Sequence, residues 1–158
     1  MITIRSITTD DVLYRQECDL RESVLLRPIG MDMAALAAEF PGFEERFEHF
    51  VALLDHPTGE RVIGCVTLLP GYPQPRTGKL MQMCVDAQRQ GEGIGRRLVA
   101  ALERRAFGEL GLSSLYCHAQ LTACGFYHNL GWVSSGPVFD EGGVAHQKML
   151  FEPPPAED

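Results

Sequence analysis

The chain has 158 residues, of which 45% are hydrophobic and 22% charged, and this length favours one compact domain over two. Its formal net charge of −7 at pH 7 argues against general binding to nucleic acids or anionic membranes, because both carry negative charge themselves. No segment approaches the roughly 18 consecutive apolar residues that a membrane-spanning helix requires.

Hydrophobic patterning in the N-terminal half predicts strands separated by a helical region. Residues 2–6 alternate between apolar and polar side chains, as a half-buried strand does. A helix is predicted over residues 8–26, capped by one of its first three residues, with Val12 and Leu13 on its apolar face. A shorter helix follows within 33–42. Further strands are predicted at 49–56, 61–70 and 79–85, and the last of them is apolar on both faces, which is typical of a central strand.

The C-terminal half alternates helices and strands. Ile94, Leu98, Leu102 and Ala106 recur every four residues, which predicts an amphipathic helix. The remaining predicted elements are a strand over 113–119, a short helix over 122–131, a strand and loop over 132–143, and a strand over 144–151. We therefore expect a single domain over residues 1–151, followed by a disordered, acidic, proline-rich tail over 152–158.

The five cysteines and the N-terminal segment favour a cytoplasmic protein. The number of cysteines is odd, and no CxxC pair occurs, so we expect reduced thiols. The first 11 residues lack the apolar core of a secretory signal peptide.

The most informative segment is QRQGEGIGRRL, residues 88–98, which lies between a predicted strand and a predicted helix. The first N–H groups of a helix have no partner within the helix, and the helix dipole adds partial positive charge there. Because Gly91, Gly93 and Gly95 lack a Cβ atom, these N–H groups can approach a ligand closely. This arrangement indicates a site for phosphate or diphosphate.

Local charge supports an anionic ligand at this site. Residues 88–105 contain five arginines and only two acidic residues, although the chain as a whole is acidic. A P-loop would need GxxxxGK[ST], and no lysine lies between Lys79 and Lys148. The dinucleotide fingerprint GxGxxG also fails, because the third glycine comes one residue early. An NAD-dependent oxidoreductase is therefore disfavoured.

The segment QGEGIGRRL, preceded by MQMCVDAQR, closely resembles the acyl-CoA-binding motif [QR]xxGx[GA] of the GNAT superfamily of N-acetyltransferases. A second segment, FYHNLGW over residues 126–132, is similar to the family's downstream FYxxxGF segment. The order of predicted elements also follows the GNAT arrangement, so the resemblance covers nearly all of residues 2–150.

The resemblance implies an α/β (α+β) fold with a mixed, mostly antiparallel central sheet of six to seven strands, flanked by helices and splayed at the acyl-CoA site. Backbone groups of the bulged strand would pair with the pantetheine arm of acetyl-CoA and polarise its thioester carbonyl. The glycine turn would bind the diphosphate, with Arg96 or Arg97 near it. The cofactor-binding residues implied are Met83, Cys84, Val85, Gln90, Gly91, Glu92, Gly93, Ile94, Gly95 and Arg96.

The resemblance also implies an enzyme that moves an acetyl group from acetyl-CoA to a primary amine of a small molecule or peptide. Tyr127 aligns with the tyrosine that frequently acts as the acid in this family. No family-wide motif identifies the base, and Glu141 and His118 are the leading candidates, with Asp140 and His146 as alternatives. Arg21 and Arg27 lie where the acceptor cleft would have a wall, and they are either contacts for an anionic substrate or ordinary surface arginines.

Other interpretations remain open. A catalytically silent acyl-CoA-binding sensor or scaffold would need the same glycine turn without Tyr127. A zinc site built from Cys117, His118, Cys124 and His128 is disfavoured by its spacing, so no metal is expected. The only partners expected are a small-molecule or peptide amine and, by family resemblance, a second copy of the chain in a homodimer. No nucleic acid or membrane is expected.

Overall fold

The computed structural model describes residues 1–154, which form one seven-stranded sheet with helices on both faces. The strands are β1 Ile2–Ile7, β2 Glu48–Leu54, β3 Arg61–Pro70, β4 Thr77–Val85, β5 Ser114–Gln120, β6 Val133–Glu141 and β7 Val144–Phe151. The helices are α1 Tyr14–Arg21, α2 Met33–Glu39, α3 Phe43–Arg46, α4 Ile94–Glu103 and α5 Cys124–Asn129. Residues 155–158, part of the predicted tail, lie outside the described residues.

The strand order is β1-β2-β3-β4-β5-β7-β6, and β4 is central. Every neighbouring pair is antiparallel except β4 and β5, which are parallel. The predicted mixed, mostly antiparallel sheet is therefore confirmed, as is the central position of the strand that is apolar on both faces.

Each face of the sheet has its own core. On one face, α4 and α5 bury the larger cluster, in which Leu98, Leu102, Leu115, Trp132 and Met149 are at most 1% exposed. On the other face, α1 covers a smaller cluster that includes Leu13, Val51, Leu53 and Cys65. The four-residue periodicity of α4 correctly predicted its buried side.

The first helix begins later than its sequence predicts. Asp11 accepts a hydrogen bond from the backbone N–H of Leu13 through Oδ1, and Thr8 accepts one from the N–H of Asp11 through its carbonyl oxygen. These bonds hold residues 8–13 in turns, so α1 starts at Tyr14. Val12 is consequently 87% exposed, and its predicted place on the apolar face is wrong.

Within the described part of the chain, no helix combines the length and apolar character needed to cross a membrane.

Candidate active site

The central feature of the site is a gap between β4 and β5. The two strands pair only from Thr77↔Ser114 to Lys79↔Tyr116, although β4 continues to Val85 and β5 to Gln120. Beyond Lys79 the strands diverge, so the backbone of β4 faces an opening where a neighbouring strand would otherwise be. The splay expected from the family resemblance is present.

A β-bulge in β4 accompanies this divergence. Cys65 lies opposite Cys84 and Thr67 opposite Met81, so two residues of β4, Gln82 and Met83, face a single residue of β3. Gln82 has a φ of 50°, the only positive φ of a non-glycine residue in the described chain. A bulge of this kind bends the strand and redirects the residues that follow it.

The gap widens into a cleft of about 870 Å³ that joins β4 to the start of α4. All but one of the predicted cofactor-binding residues line it: Met83, Cys84, Val85, Gln90, Gly91, Gly93, Ile94, Gly95 and Arg96. Glu92 does not line the cleft, because its carboxylate is turned to Arg89, with Oε1 3.5 Å from Nη1. Of the predicted catalytic residues, Tyr127 and His118 line the cleft and Glu141 does not.

The glycine turn has the shape that a diphosphate group requires. Gly91 and Gly93 have φ values of 86° and 80°, and no atom beyond the adjoining residues of the chain lies within 4 Å of the place where a Cβ atom would be. Gly93 is the N-cap of α4, which has ten residues, so the free N–H groups of the first turn lie beside this space. A Cβ atom on Gly95 would lie 2.9 Å from Cε of Met83 and 3.2 Å from Cζ of Phe126. The residues present therefore fit a CoA diphosphate.

The arginines near the turn have separate roles. Arg89 and Arg96 line the cleft. Arg97 instead donates a hydrogen bond from Nη1 to the carbonyl oxygen of Ile2 at 2.9 Å, and Arg105 pairs with Glu48 and Glu109. Of the two arginines proposed for the diphosphate, the structure favours Arg96. The arginine-rich segment therefore supplies both residues that line the cleft and residues that bond to other parts of the fold.

Tyr127 lies on α5 and is only 5% exposed. Its ring packs against Trp132 with a centroid distance of 5.3 Å. Burial, together with the neighbouring Cys117 and Cys124 thiols, raises the pKa of Tyr127 well above its ordinary value. Burial likewise raises the pKa of Cys117 to about 12. The tyrosine hydroxyl is therefore neutral throughout the physiological range and remains a hydrogen-bond donor.

His118 and Glu141 lie side by side at the edge of the cleft. Nδ1 of His118 is 3.5 Å from Oε2 of Glu141, and it is buried without a hydrogen-bond partner. Burial and the nearby Lys79 ammonium lower the pKa of His118, so its imidazole is neutral at pH 7. His146 also lines the cleft, but its Nδ1 donates to the carbonyl oxygen of Val144. Asp140 accepts the Gly143 N–H in a turn.

A buried ionic network lies behind the β4 bulge, and sequence reasoning missed it. Arg21 is fully buried and donates from Nη1 to Glu17 at 2.8 Å and to Glu44 at 2.7 Å. His49 donates from Nδ1 to Glu17 at 2.9 Å and from Nε2 to the carbonyl oxygen of Glu44 at 2.8 Å. Because both ring nitrogens face acceptors, His49 is an imidazolium. The pKa of His49 is raised, since these interactions outweigh the effect of burial.

This network corrects the prediction for Arg21. The side chain is neither a surface arginine nor a substrate contact, because it is fully buried and paired with the fully buried Glu17 and with Glu44, whose side chain is 15% exposed. Glu17, Glu44 and His49 bring their ligand atoms within 4.8 Å of one another, but the Arg21 guanidinium already supplies the positive charge between the carboxylates. The i,i+4 spacing of Glu17 and Arg21 was the only sequence signal, and it is usual on exposed helices too.

The disfavoured zinc site does not form within residues 1–154. His128 points to Ser134, with Nε2 2.9 Å from Oγ, and Cys124 contacts the carbonyl oxygen of Gln120.

Comparisons with known proteins agree with this geometry. The chain is 28% identical to YyaT of Bacillus subtilis (strain 168), described as an uncharacterized protein, over 155 residues that cover 96% of each chain. It superimposes on the crystal structure of a protein from Lactobacillus plantarum that is described as an N-acetyltransferase. The TM-score is 0.78 at 23% identity, covering 96% of this chain and 97% of the other. An aminoglycoside 6'-N-acetyltransferase complexed with coenzyme A gives a TM-score of 0.76 at 18% identity and 99% coverage of both chains.

A model of the Acetyltransferase (GNAT) family matches residues 17–132, which is most of the chain and includes β4, the glycine turn and Tyr127. Together with the splayed strand and the open helix N-terminus, this match shows that the chain belongs to the GNAT family of acetyl-CoA-dependent acyltransferases.

Proposed function

We propose that this protein transfers an acetyl group from acetyl-CoA to the primary amine of a small molecule or peptide. The observation that carries the proposal is the continuity of one cleft, which joins the unpaired edge of β4, the open glycine turn and Tyr127. When bound, acetyl-CoA supplies an activated acetyl thioester. The chain must hold that group, accept a proton from the amine and donate to the departing sulfur.

Binding is assigned to β4 and to the start of α4. Backbone groups of Met83, Cys84 and Val85 would pair with the pantetheine arm, because no strand of the described chain occupies that edge beyond Lys79. An N–H group of this segment would donate to the thioester oxygen as negative charge develops on it. The N–H groups beside Gly93 and Gly95 would hold the diphosphate, with the Arg96 guanidinium as counter-charge.

His118 is the base that the geometry favours. Its neutral imidazole lines the cleft, and Glu141 lies against Nδ1, where a carboxylate orients an Nδ1–H tautomer and leaves Nε2 free to accept a proton. The 3.5 Å separation is longer than a hydrogen bond, and such contacts often shorten when substrate binds.

Tyr127 is the proposed donor to the leaving sulfur. Its pKa is above that of a thiol, about 8.5, so complete proton transfer to the thiolate is uphill. A hydrogen bond from the neutral hydroxyl still stabilises the negative charge that develops on sulfur as the bond to carbon breaks.

The cleft favours an amine with an apolar body over a polycation. Leu25, Ile29 and Met81 are among the apolar residues that line it. No aspartate or glutamate is among the residues that line it in the described chain. A substrate with several ammonium groups, such as an aminoglycoside, would there lose hydration and find only the Glu141 carboxylate, at the edge of the cleft, as a partner.

A thiol-release assay with acetyl-CoA and a panel of amines tests this function. We expect arylalkylamines and apolar peptide N-termini to be acetylated with kcat/KM at least about tenfold above kanamycin or spermidine. That difference corresponds to about 1.4 kcal/mol of preferential transition-state stabilisation. CoA binding without release for any amine would indicate the silent acyl-CoA-binding module instead, and the absence of CoA binding would contradict both.

A pH profile tests the base. Burial and Lys79 lower the pKa of His118. The imidazole should therefore stay unprotonated, and the wild type should keep the contribution of this base to kcat/KM, at pH values below the ordinary histidine pKa of about 6.5. At pH 7.5 we expect His118→Gln to lower kcat/KM about tenfold. The difference in kcat/KM between this variant and the wild type should shrink towards pH 10, where the substrate amine is already deprotonated and needs no base to remove its first proton.

His146→Gln is the matched control for this measurement, because that histidine also lines the cleft and has Nδ1 bonded to the backbone. A loss in His146→Gln with none in His118→Gln would move the role to the second histidine.

A further inference from the structure

The conformation of Gln82 is unusual for its residue type. L-amino acids other than asparagine and aspartate seldom adopt positive φ, and the bulge position with a left-handed backbone is ordinarily filled by glycine. Gln82 adopts a φ of 50° there. Something outside the local backbone must therefore favour a glutamine side chain at this position.

The partner of that side chain is Arg21. Nε of Arg21 donates to Oε1 of Gln82 at 3.2 Å. The two Nη atoms of the same guanidinium donate to Glu17 and Glu44 at 2.7–2.8 Å. A guanidinium is planar and rigid, so two carboxylates that hold the Nη atoms also fix the direction of the Nε–H bond. Arg21 therefore presents one donor to the β4 bulge in a fixed direction.

The network around Arg21 is anchored on two other elements, α3 and β2. Glu44 is the second residue of α3 and also accepts a hydrogen bond from Tyr14 Oη at 2.6 Å. His49 belongs to β2 and ties Glu17 to the backbone of Glu44. The two carboxylates are balanced by the guanidinium and the imidazolium, so the cluster is neutral as well as buried. It forms a rigid support on the face of β4 opposite to α4.

The bulge determines which groups of β4 reach the cleft. Side chains alternate between the two faces of a strand, so removing one inserted residue would move every later residue to the opposite face. Met83, the second residue of the bulge, and the following Cys84 and Val85 line the cleft. If Gln82 relaxed to a negative φ, the backbone groups of this segment would turn away from their present directions.

We propose that Arg21 is a positioning residue for acyl transfer, acting through the side chain of Gln82 to hold the β4 bulge open for the thioester. This inference rests on the proposed function for its consequence in catalysis. The mechanical part, the link between Arg21 and the bulge, does not depend on which amine is the acceptor.

The test uses substitutions of Gln82, because replacing Arg21 would leave the carboxylates of Glu17 and Glu44 with only the His49 imidazolium to balance them and would risk unfolding the protein. Gln82→Leu removes the acceptor and keeps a side chain of similar size. Gln82→Glu keeps an acceptor for the Arg21 Nε–H. Gln82→Gly removes the link while favouring positive φ.

A matched control comes from another glutamine that links two elements. Gln16 donates to the carbonyl oxygen of Glu60 and accepts from the N–H of Val62, away from the cleft. Gln16→Leu therefore removes two side-chain hydrogen bonds from the fold without touching β4. It reports what a merely structural loss does to stability and turnover.

Amide hydrogen exchange and steady-state kinetics are the two readouts. In Gln82→Leu and Gln82→Gly we expect exchange at Met83–Val85 to rise about tenfold or more, with the other strands unchanged. We expect kcat to fall about tenfold, while KM for acetyl-CoA changes less, because small displacements of reacting groups mainly affect the chemical step. Gln82→Glu should restore most of the wild-type exchange protection and most of kcat. Gln16→Leu should show neither the faster exchange nor the lower kcat.

Two results would overturn the inference. One is a Gln82→Leu variant with wild-type exchange at Met83–Val85. The other is a Gln82→Gly variant with wild-type exchange and kcat, because the backbone alone would then hold the bulge. If the wild-type protein acetylates no amine, the exchange data still decide on the link, and only the proposed function fails.

Discussion

Replacing Tyr127 with phenylalanine is expected to lower kcat by about 100-fold or more, with CoA affinity within about twofold of the wild type. The hydroxyl is the hydrogen-bond donor that the cleft offers to the leaving sulfur, and removing one donor to a developing negative charge typically costs about 10²–10³-fold in kcat. The ring itself should stay in place, because it packs against Trp132 and Phe126 and is 95% buried from solvent.

The measurement combines thiol-release kinetics with a thermal shift on CoA. A ligand at 100 times its Kd adds about 2.7 kcal/mol to the stability of the folded state, so the shift should be the same for both proteins if CoA binding is intact. Tyr116→Phe is the matched control, since Tyr116 is a buried tyrosine of β5 that does not line the cleft. A Tyr127→Phe enzyme with wild-type kcat would exclude the hydroxyl from the reaction.

The second large effect is expected at Gly93. We expect Gly93→Asn to weaken CoA binding about 100-fold, or about 2.7 kcal/mol, because the side chain would enter the open space beside the first N–H groups of α4. Asparagine is chosen because it tolerates positive φ better than other side chains, and Gly93 has a φ of 80°. A valine would add backbone strain and confuse binding with folding.

Gly42 provides an unusually close control. It is also a helix N-cap, with a φ of 79°, and no atom beyond the adjoining residues of the chain lies within 4 Å of its Cβ position. Gly42→Asn therefore also places an asparagine at a helix N-cap with positive φ, but outside the cleft. We expect both variants to melt at similar temperatures and only Gly93→Asn to lose CoA in calorimetry. Equal CoA affinity in the two variants would place the diphosphate elsewhere.

Local patterns in the sequence were sufficient for most of the fold. Strands β3 and β7 have the predicted bounds of 61–70 and 144–151, because turn residues flank the apolar run of β3 and precede β7. Helix α4 buries the predicted side, since its periodicity is a property of the segment alone. The start of α1 was less predictable. Thr8, Thr9 and Asp10 are all competent caps, but the bonds of Asp11 and Thr8 to nearby N–H groups delay the helix.

The residues of the candidate site also fall into those that the sequence predicted and those that it did not. The glycine turn, Tyr127 and the bulged strand are recognisable from short motifs, because each depends on neighbouring residues. Two side-chain directions were not predicted, because they depend on packing. Arg97 donates to the carbonyl oxygen of Ile2, and the Glu92 carboxylate faces Arg89 and not the cleft.

The sequence by itself determined the order of strands and helices, the open helix N-terminus and membership of an acyl-CoA-dependent family, because these follow from residue spacing along the chain. Only the tertiary structure decided that Glu17, Arg21, Glu44 and His49 form one buried network behind Gln82. Those residues come from α1, α3, β2 and β4, and charged side chains of these types are common on protein surfaces. Whether such a group is buried and paired depends on which elements the fold brings together, and local spacing carries little of that information.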